Sequence, residues 1–251
     1  MVTLSSTFPP FLKPDTTNHR PVEAGSGGPF ATKGRSPQDR TVLFGLAYGV
    51  GVVTARRTQA ERTAATRAAL LAAARVLFAE QGFTGTGREQ IAERAGVTRG
   101  ALYHHFATKE DVFREVVEEL EQEMLERIVA ASAGSADPGD MLRAGAHAFL
   151  DSATEPAFKR IVLLDAPAVL GSDGWREIDE RHGLGLVRGV LEEAVNAGVL
   201  PPAPIDPLAS MLLGALNEAA VAIATAANPR RARKEVGAAV DFFLDRLLGS
   251  S

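Results

Sequence analysis

The segment 86–106, TGREQIAERAGVTRGALYHHF, constrains the fold of this chain more than any other, because signals that end one helix and start the next lie close together in it. Its first half, from Arg88 to Ala95, has apolar residues around Ile91 at helical spacing, which predicts a short helix with one buried face. Gly96 can adopt the left-handed backbone conformation that ends a helix, and Thr98 is a favourable N-cap for another. The segment therefore predicts two short helices joined by a tight turn.

The second of these helices is predicted to have an apolar inner face and a polar outer face. Leu102 and Phe106, four residues apart, would anchor the inner face. The outer face is left with Thr98, Arg99, Gly100, Tyr103 and His104. An arginine can contact guanine through two N–H groups, a glycine allows a close backbone approach, and hydroxyl groups and imidazoles can donate to phosphate oxygens. The pattern predicts a helix-turn-helix whose outer face fits the major groove of DNA.

Further residues around this segment are expected to contact DNA. Lys109, at the start of the following helix, would hold a phosphate as a point charge. The other residues predicted to contact DNA are Arg62, Thr86 and Arg88. The whole chain has a net charge of −4, so we expect a local basic patch for a specific site rather than a general coat for nucleic acid. The glutamates of residues 115–126 are expected to form a solvated acidic face.

The segment 62–113 as a whole resembles the DNA-binding domain of the TetR family of transcriptional regulators. The residues that carry the resemblance are Leu70-Leu71, Ala73-Ala74, Leu77-Phe78, Gly82-Phe83, Thr86, the run 91–106 and Lys109-Glu110. It implies an all-α homodimer in which an N-terminal three-helix DNA-binding domain precedes a larger helical domain for ligand binding and dimerisation. It also implies that a small-molecule effector controls affinity for a double-stranded DNA operator. The sequence departs from the family pattern at Gly87, where serine or threonine is more common, and at Arg88, where the family has an apolar residue.

Composition divides the chain into an N-terminal extension, residues 1–57, and two predicted domains, residues 58–113 and 114–251. The extension is rich in proline and glycine, which predicts a disordered arm. Its apolar run Val42–Val53 is shorter than the roughly 20 residues that cross a bilayer, so no membrane partner is predicted. Two alternatives are a cleaved signal peptide and a start codon assigned too far upstream, of which we favour the second.

Apolar periodicity predicts a scaffold helix from Thr63 to Glu80 and a long helix from Lys109 to about Ala131. The long helix would be shared by both domains, so a shift of it would move the recognition helix. Five further helices are predicted at about 138–153, 156–165, 175–197, 207–226 and 229–248. A break between the second and third of these is expected at Pro167 and Gly171. In TetR-like proteins the last two helices pair between subunits, and the resemblance implies a homodimer of that kind.

A few polar residues interrupt the apolar pattern of the C-terminal half, and each is expected either to be satisfied internally or to face a ligand. Together with apolar walls they predict a pocket for a small molecule of unspecified identity. The predicted ligand-binding residues are Leu142, Phe149, Ile161, Leu164, Asp165, Trp175, Ile178 and Asn217. Two alternatives remain open: Asn217 and Glu218 could form a hydrogen-bond pair at the dimer interface, and Trp175 could be an ordinary core residue.

Several classes of function lack their sequence signals. The chain has no cysteine, which excludes disulfides and thiolate sites, and its five histidines show no metal-binding spacing. No nucleotide-binding or hydrolase motif is present, so we predict no catalytic residues, no cofactor and no metal. The predicted function is a cytoplasmic, ligand-released repressor. The alternatives are a ligand-independent DNA-binding protein with a purely dimerising C-terminal domain, an enzyme or carrier that retains a helix-turn-helix, and a membrane-attached or exported protein.

Overall fold

The computed structural model describes residues 58–249, apart from the side chains of residues 172 and 179. Within this range the chain forms nine α-helices, two π-helical segments and no β-strand. The α-helices are α1 (Gln59–Gly85), α2 (Arg88–Arg94), α3 (Arg99–His105), α4 (Lys109–Ser132), α5 (Pro138–Ser152), α6 (Ala166–Asp179), α7 (Gly185–Asn196), α8 (Ile205–Thr225) and α9 (Pro229–Leu247). The first π segment is Phe158–Asp165 and the second π segment is Glu180–Leu184. The predicted all-α fold is confirmed, whereas the expectations for residues 1–57, including their apolar run, lie outside the described residues.

Helix α1 begins earlier than predicted because a reciprocal cap precedes it. The Thr58 hydroxyl accepts from the Glu61 N–H at 3.2 Å, and the Glu61 carboxylate accepts from the Thr58 N–H at 2.7 Å. Near its end the helix is kinked at Gly82, where φ is 73° and the guanidinium of Arg160 passes over the backbone. Glycine fits this kink because a φ of 73° with a ψ of 172° is a conformation essentially limited to glycine, and a side chain there would also displace the guanidinium of Arg160.

Helices α2 and α3 form the predicted helix-turn-helix. Gly96 has a φ of 67°, and the Thr98 hydroxyl accepts from the Ala101 N–H at 3.2 Å. The predicted glycine stop and threonine cap are therefore confirmed. Ile91 and Leu102 are buried, and the two helices pack against α1.

Helix α4 connects the helix-turn-helix to the rest of the chain. At its start three aromatic rings meet, Phe78 and Phe83 of α1 and Phe113 of α4, with centroids 5.0 to 5.9 Å apart. Further along, Arg75 of α1 and Glu123 of α4 form a bidentate pair with N–O distances of 2.5 and 2.8 Å. The helix also packs against α5, α6 and the first π segment. It therefore contacts both the helix-turn-helix scaffold and the C-terminal half, as predicted for the long helix.

The C-terminal half differs from the prediction in one stretch. The helix expected at 156–165 is mainly the first π segment, and the helix expected at 175–197 is divided among α6, the second π segment and α7. Pro167 does not break the chain, because it lies in the first turn of α6, where its missing N–H is not needed. The interruption comes at Gly171, whose φ is 74°. Hydrophobic periodicity does not reveal π segments, which are rare and frequently occur at functional sites.

Helix α8 is the one helix of the described range that is long and apolar enough to cross a membrane, with a mean hydropathy of 1.5. One of its faces is buried in the core through Leu212, Leu216, Ala220 and Ile223. The helix packs against α5, α7, α9 and the first π segment. Burial of this face accounts for part of its apolar sequence, whereas Met211 on the same helix is exposed.

Candidate functional site

The outward face of α3 is exposed and polar. The exposed residues are Thr98, Arg99, Gly100, Tyr103 and His104. On the inward face Leu102 and Phe106 are buried, as predicted. The helix therefore presents its polar side chains on a surface that is anchored from behind by apolar ones.

A carboxylate of α2 lies beside this face and is not among the predicted contacts. Glu89 accepts a hydrogen bond from the Tyr103 hydroxyl at 3.3 Å. The hydrogen bond from its own backbone N–H, together with the charge of Arg99 and the Tyr103 hydroxyl, lowers the pKa of the Glu89 carboxyl. An anion here orients Tyr103 next to Arg99, and a carboxylate can also accept from cytosine in a major groove. The sequence alone did not mark Glu89 as a residue of this site, because the helix dipole also favours a glutamate in the first turn of any helix.

Two residues predicted to contact DNA have their polar groups engaged within the protein. Arg88 Nη1 donates to the Ala107 carbonyl at 2.8 Å, and its guanidinium carbon lies 4.4 Å from the centroid of the Tyr103 ring. Arg88 thus ties α2 to the turn after α3. Thr86 is only 2% exposed, and its hydroxyl donates to the Gly82 carbonyl at 2.9 Å. The predicted contact of Thr86 with DNA is incompatible with this conformation, because the hydroxyl is buried and already used.

Lys109 fixes the end of α1 to the start of α4. Its Nζ donates to the carbonyls of Phe83 at 2.9 Å and Thr86 at 3.0 Å, and it lies 4.0 Å from the centroid of the Phe83 ring. Carbonyls at a helix end lack intrahelical partners, and a lysine can satisfy them. An ammonium has three N–H groups, so one remains for the predicted phosphate contact. Arg62 is exposed near the start of α1.

The end of α1 also contacts the first π segment. The Phe83 N–H donates to the Asp165 carboxylate at 2.8 Å, and Arg160 pairs with the same carboxylate at 3.3 Å. Asp165 was predicted to bind a ligand, but its carboxylate is used to join the helix-turn-helix scaffold to the C-terminal half. It lines neither of the two cavities described next.

A cavity of about 60 Å³, here called the inner cavity, lies between α4, α5, α7 and α8. Leu142 and Phe149, two of the predicted ligand-binding residues, are part of its wall. Helix α4 contributes Met124 and Ile128. A molecule in the inner cavity would therefore touch the helix that begins at the helix-turn-helix.

A larger and more open pocket of about 520 Å³, the outer pocket, lies between the two π segments, α6 and α8. The predicted residues that line it are Leu164, Trp175 and Asn217. The Trp175 Nε1 is buried and has no hydrogen-bond acceptor among the described residues. Leu213 lines both the outer pocket and the inner cavity. The single pocket predicted from the sequence is thus divided in two, and Ile161 and Ile178 are buried core residues that line neither part.

Large apolar side chains are exposed on α8 and α9. Met211 is 71% exposed, Phe242 63% and Phe243 47%. A groove between the two helices has an apolar lining that includes Ala215 and Val240. Exposed apolar side chains beside an apolar groove are typical of an interface.

The described residues hold no cluster of three or more side chains of the types that bind a metal ion. The same residues define a class of all-helical protein. Its members have an exposed N-terminal helix-turn-helix and a helical C-terminal half with a cavity. Residues 70–116 match the family described as "Bacterial regulatory proteins, tetR family". Residues 140–247 match "Tetracyclin repressor-like, C-terminal domain".

Solved and curated relatives agree with these matches. A crystal structure of a TetR-family transcriptional regulator from Pectobacterium atrosepticum is 37% identical, with a TM-score of 0.67, and the match covers 76% of this chain and 98% of that one. The transcriptional regulator CymR of Pseudomonas putida is 36% identical over 131 residues, which are 51% of this chain and 64% of CymR. The transcriptional repressor BepR of Brucella suis is 48% identical over 62 residues, 25% of this chain and 29% of BepR. The matched regions thus span less than two thirds of these two curated relatives. The chain belongs to the TetR family.

Proposed function

We propose that this protein is a sequence-specific, DNA-binding transcriptional regulator. The observation that carries the proposal is the exposed polar face of α3, where Arg99, Gly100 and Tyr103 lie over the buried anchor Leu102. An arginine can read guanine with two N–H groups, and the missing side chain at position 100 lets the backbone approach the groove closely. The related regulator CymR and repressor BepR support the same role.

The proposed active form is a homodimer on a palindromic operator. The exposed apolar residues of α8 and α9 supply a surface that a second copy would cover. A two-fold symmetric dimer places its recognition helices in successive major grooves, about 34–36 Å apart, and so requires a site of the same symmetry. In this arrangement residues 58–113 bind DNA, and residues 114–251 dimerise and bind the effector.

The proposed regulation is repression that a small molecule relieves, and helix α4 supports it. This helix starts at Lys109 beside the helix-turn-helix and lines the inner cavity with Met124 and Ile128. A ligand that prefers a conformation with α4 displaced lowers operator affinity by the ratio of its affinities for the two conformations. The hydrogen bond between Phe83 and Asp165 supplies a second connection. The proposed location is the cytoplasm, and no catalytic role is proposed.

Selection of DNA from a random double-stranded library by the purified protein tests this function. We expect the enriched sequences to contain an inverted repeat, and the protein to protect it from cleavage with two-fold symmetry. Binding to that sequence should survive an excess of random competitor DNA at two salt concentrations. Binding without an enriched sequence, which competitor removes equally and modest salt abolishes, would be electrostatic affinity alone and would contradict the proposal.

A further inference from the structure

The composition of the inner cavity defines the chemistry of the molecule that fits it. We propose that the inner cavity binds a small, uncharged, apolar molecule with one hydrogen-bond donor, and that the donor bonds to the hydroxyl oxygen of Ser132. This inference rests on the proposed effector-binding role of residues 114–251 and makes that role specific.

The walls of the inner cavity exclude an ionised ligand. The described residues that line it carry apolar side chains or are glycine, and Ser132 is the one exception. Moving an ion from water into such surroundings without a partner of opposite charge is strongly unfavourable. The outer pocket differs, because Arg176, Glu180 and Glu218 line it. A carboxylate or an ammonium would therefore favour the outer pocket, and a neutral molecule the inner cavity.

The hydrogen bond that Ser132 already makes determines what it offers a ligand. Its hydroxyl donates to the Met141 carbonyl at 3.2 Å, and the residue is 8% exposed. A serine hydroxyl has one hydrogen to donate and two lone pairs that can accept. Because the hydrogen is used, Ser132 presents an acceptor to the cavity. The complementary group on the ligand is therefore a donor, such as a phenolic or alcoholic O–H.

The space beside Ser132 limits the size of the ligand. A Cβ at Gly145 would lie 3.4 Å from Ser132 Oγ and 3.3 Å from Ile128 Cγ2, so glycine keeps the approach to the hydroxyl open. The inner cavity has a volume of about 60 Å³. A single water-sized group needs at least about 10–15 Å³, so the inner cavity has room for several such groups. It suits one ring or a short chain.

The methionines give a direct test of occupancy. Of the four in the chain, Met124 and Met141 line the inner cavity, whereas Met211 of α8 does not line it and serves as an internal control. Protein labelled with carbon-13 at the methionine methyl groups is titrated with phenol, toluene and benzoate, which share one ring and differ only in the substituent. We expect saturable shifts of the Met124 and Met141 methyl signals with phenol and toluene, no shift of Met211, and no response to benzoate.

Two variants test the hydrogen bond to Ser132. In Ser132→Ala the affinity for phenol should fall roughly three- to tenfold, the net contribution of one hydrogen bond. The affinity for toluene should be unchanged. Ser132→Thr keeps a hydroxyl and should retain phenol binding, which controls for the effect of any substitution at this site.

The proposal is overturned by any of three results: benzoate shifts the Met124 and Met141 signals with the same affinity as phenol, Ser132→Ala weakens phenol and toluene equally, or neither neutral ligand shifts Met124 and Met141. None of these titrations requires DNA. If they fail while library selection yields an operator, the ligand class is wrong and the regulator stands. If they succeed without an operator, the cavity binds neutral ligands in a protein of another function.

Discussion

The ammonium group of Lys109 satisfies the carbonyls of Phe83 and Thr86 at the end of α1. Replacement by alanine removes this donor from both carbonyls in a partly buried position, and the Phe83 carbonyl keeps only its hydrogen bond from the Thr86 N–H at 3.3 Å. We expect Lys109→Ala to lower the free energy of unfolding by about 1–3 kcal/mol, measured by urea denaturation in the absence of DNA. DNA affinity should fall for all sequences alike, because a phosphate contact carries no sequence information.

Lys234 provides the matched control for this experiment. It is exposed on α9, so Lys234→Ala should change stability by less than about 0.5 kcal/mol. A Lys109→Ala protein that loses DNA affinity but keeps full stability would contradict the structural role of this lysine. It would leave the phosphate contact as its sole contribution.

Single positions differ in how far the sequence predicts them. The outward residues of α3 could be predicted, because helical periodicity and the buried Leu102 together fix which side chains point away. The burial of Thr86 could not, since its hydroxyl bonds to Gly82 only after α1 kinks there. The contacts of Lys109 likewise depend on where α1 ends relative to α4, which no local pattern encodes.

At the level of helices, the pair formed by Arg75 and Glu123 joins α1 to α4. The hydrogen bond from Arg75 lowers the pKa of the Glu123 carboxyl below its ordinary value of 4.5. A carboxyl whose pKa is lowered by folding stabilises the folded state above its ordinary pKa, and this contribution is lost as the pH falls through the lowered value. Since both side chains are partly exposed, Arg75→Ala should destabilise by at most about 1 kcal/mol near neutral pH.

Denaturation of both proteins between about pH 7 and pH 3 checks this dependence. The stabilities of wild type and Arg75→Ala should converge as Glu123 becomes protonated. Arg181→Ala, which removes a more exposed arginine paired with Glu118 and Glu177, is the control and should have a smaller effect. A destabilisation by Arg75→Ala that stays constant down to the lowest pH would show that lost packing, not charge, is responsible.

The contact between α1 and the first π segment depends on Asp165, which accepts from the Phe83 N–H. Asp165→Ala removes the acceptor. We expect the Phe83 amide to exchange its hydrogen with solvent on the order of tenfold faster, the equivalent of one partly buried hydrogen bond. Amide exchange followed by nuclear magnetic resonance measures this directly.

Asp165→Asn separates the hydrogen bond from the charge, because the asparagine keeps a side-chain oxygen that can accept from Phe83. Its exchange rate should lie close to that of the wild type. An unchanged exchange rate at Phe83 in Asp165→Ala would mean that this contact does not hold the end of α1. The hydrogen bond between Phe83 and Asp165 would then not connect the helix-turn-helix to the C-terminal half.

Helix boundaries follow the sequence where local signals mark them. The end of α2 before Gly96 and the start of α3 after Thr98 lie within one residue of the predicted positions. Both signals, a left-handed glycine and a hydroxyl cap, act locally. The two π segments were missed, since segments of 8 and 5 residues are too short for an i, i+5 pattern to be distinguished from an α-helical one. They depend on the packing of α6 and α8, which lies beyond the reach of a short window.

On the scale of the whole molecule, the exposed apolar residues of α8 and α9 predict the subunit interface. Phe243→Asp introduces a charge into this surface and should convert the proposed dimer to a monomer of half the mass, measured by analytical ultracentrifugation. Operator affinity should fall with it, because the two half-sites are then bound independently. Ala131→Asp, at an exposed position on α4, is the control and should remain dimeric. A Phe243→Asp protein that stays dimeric would locate the interface elsewhere.

The cavities could be predicted from the sequence only in part. Apolar helices with a few polar residues indicated a pocket, and Leu142, Phe149, Leu164, Trp175 and Asn217 do line cavities. Their division into two depends on Leu213 and on the second π segment, which borders both. This arrangement follows from how α7 and α8 pack together. The separation of the inner cavity from the outer pocket therefore depends on tertiary contacts that the sequence pattern does not show.

If the exposed face of α3 reads DNA sequence, the ratio of the affinities for the selected operator and for random DNA must depend on Arg99. At fixed salt, Arg99→Ala should lower operator affinity by about 1–3 kcal/mol and leave random-DNA affinity nearly unchanged, so that the ratio falls. Arg188→Ala removes an exposed arginine of α7 that pairs with Asp206, and it should preserve the ratio. Equal losses on operator and random DNA in Arg99→Ala would contradict the account, because Arg99 would then contribute only charge.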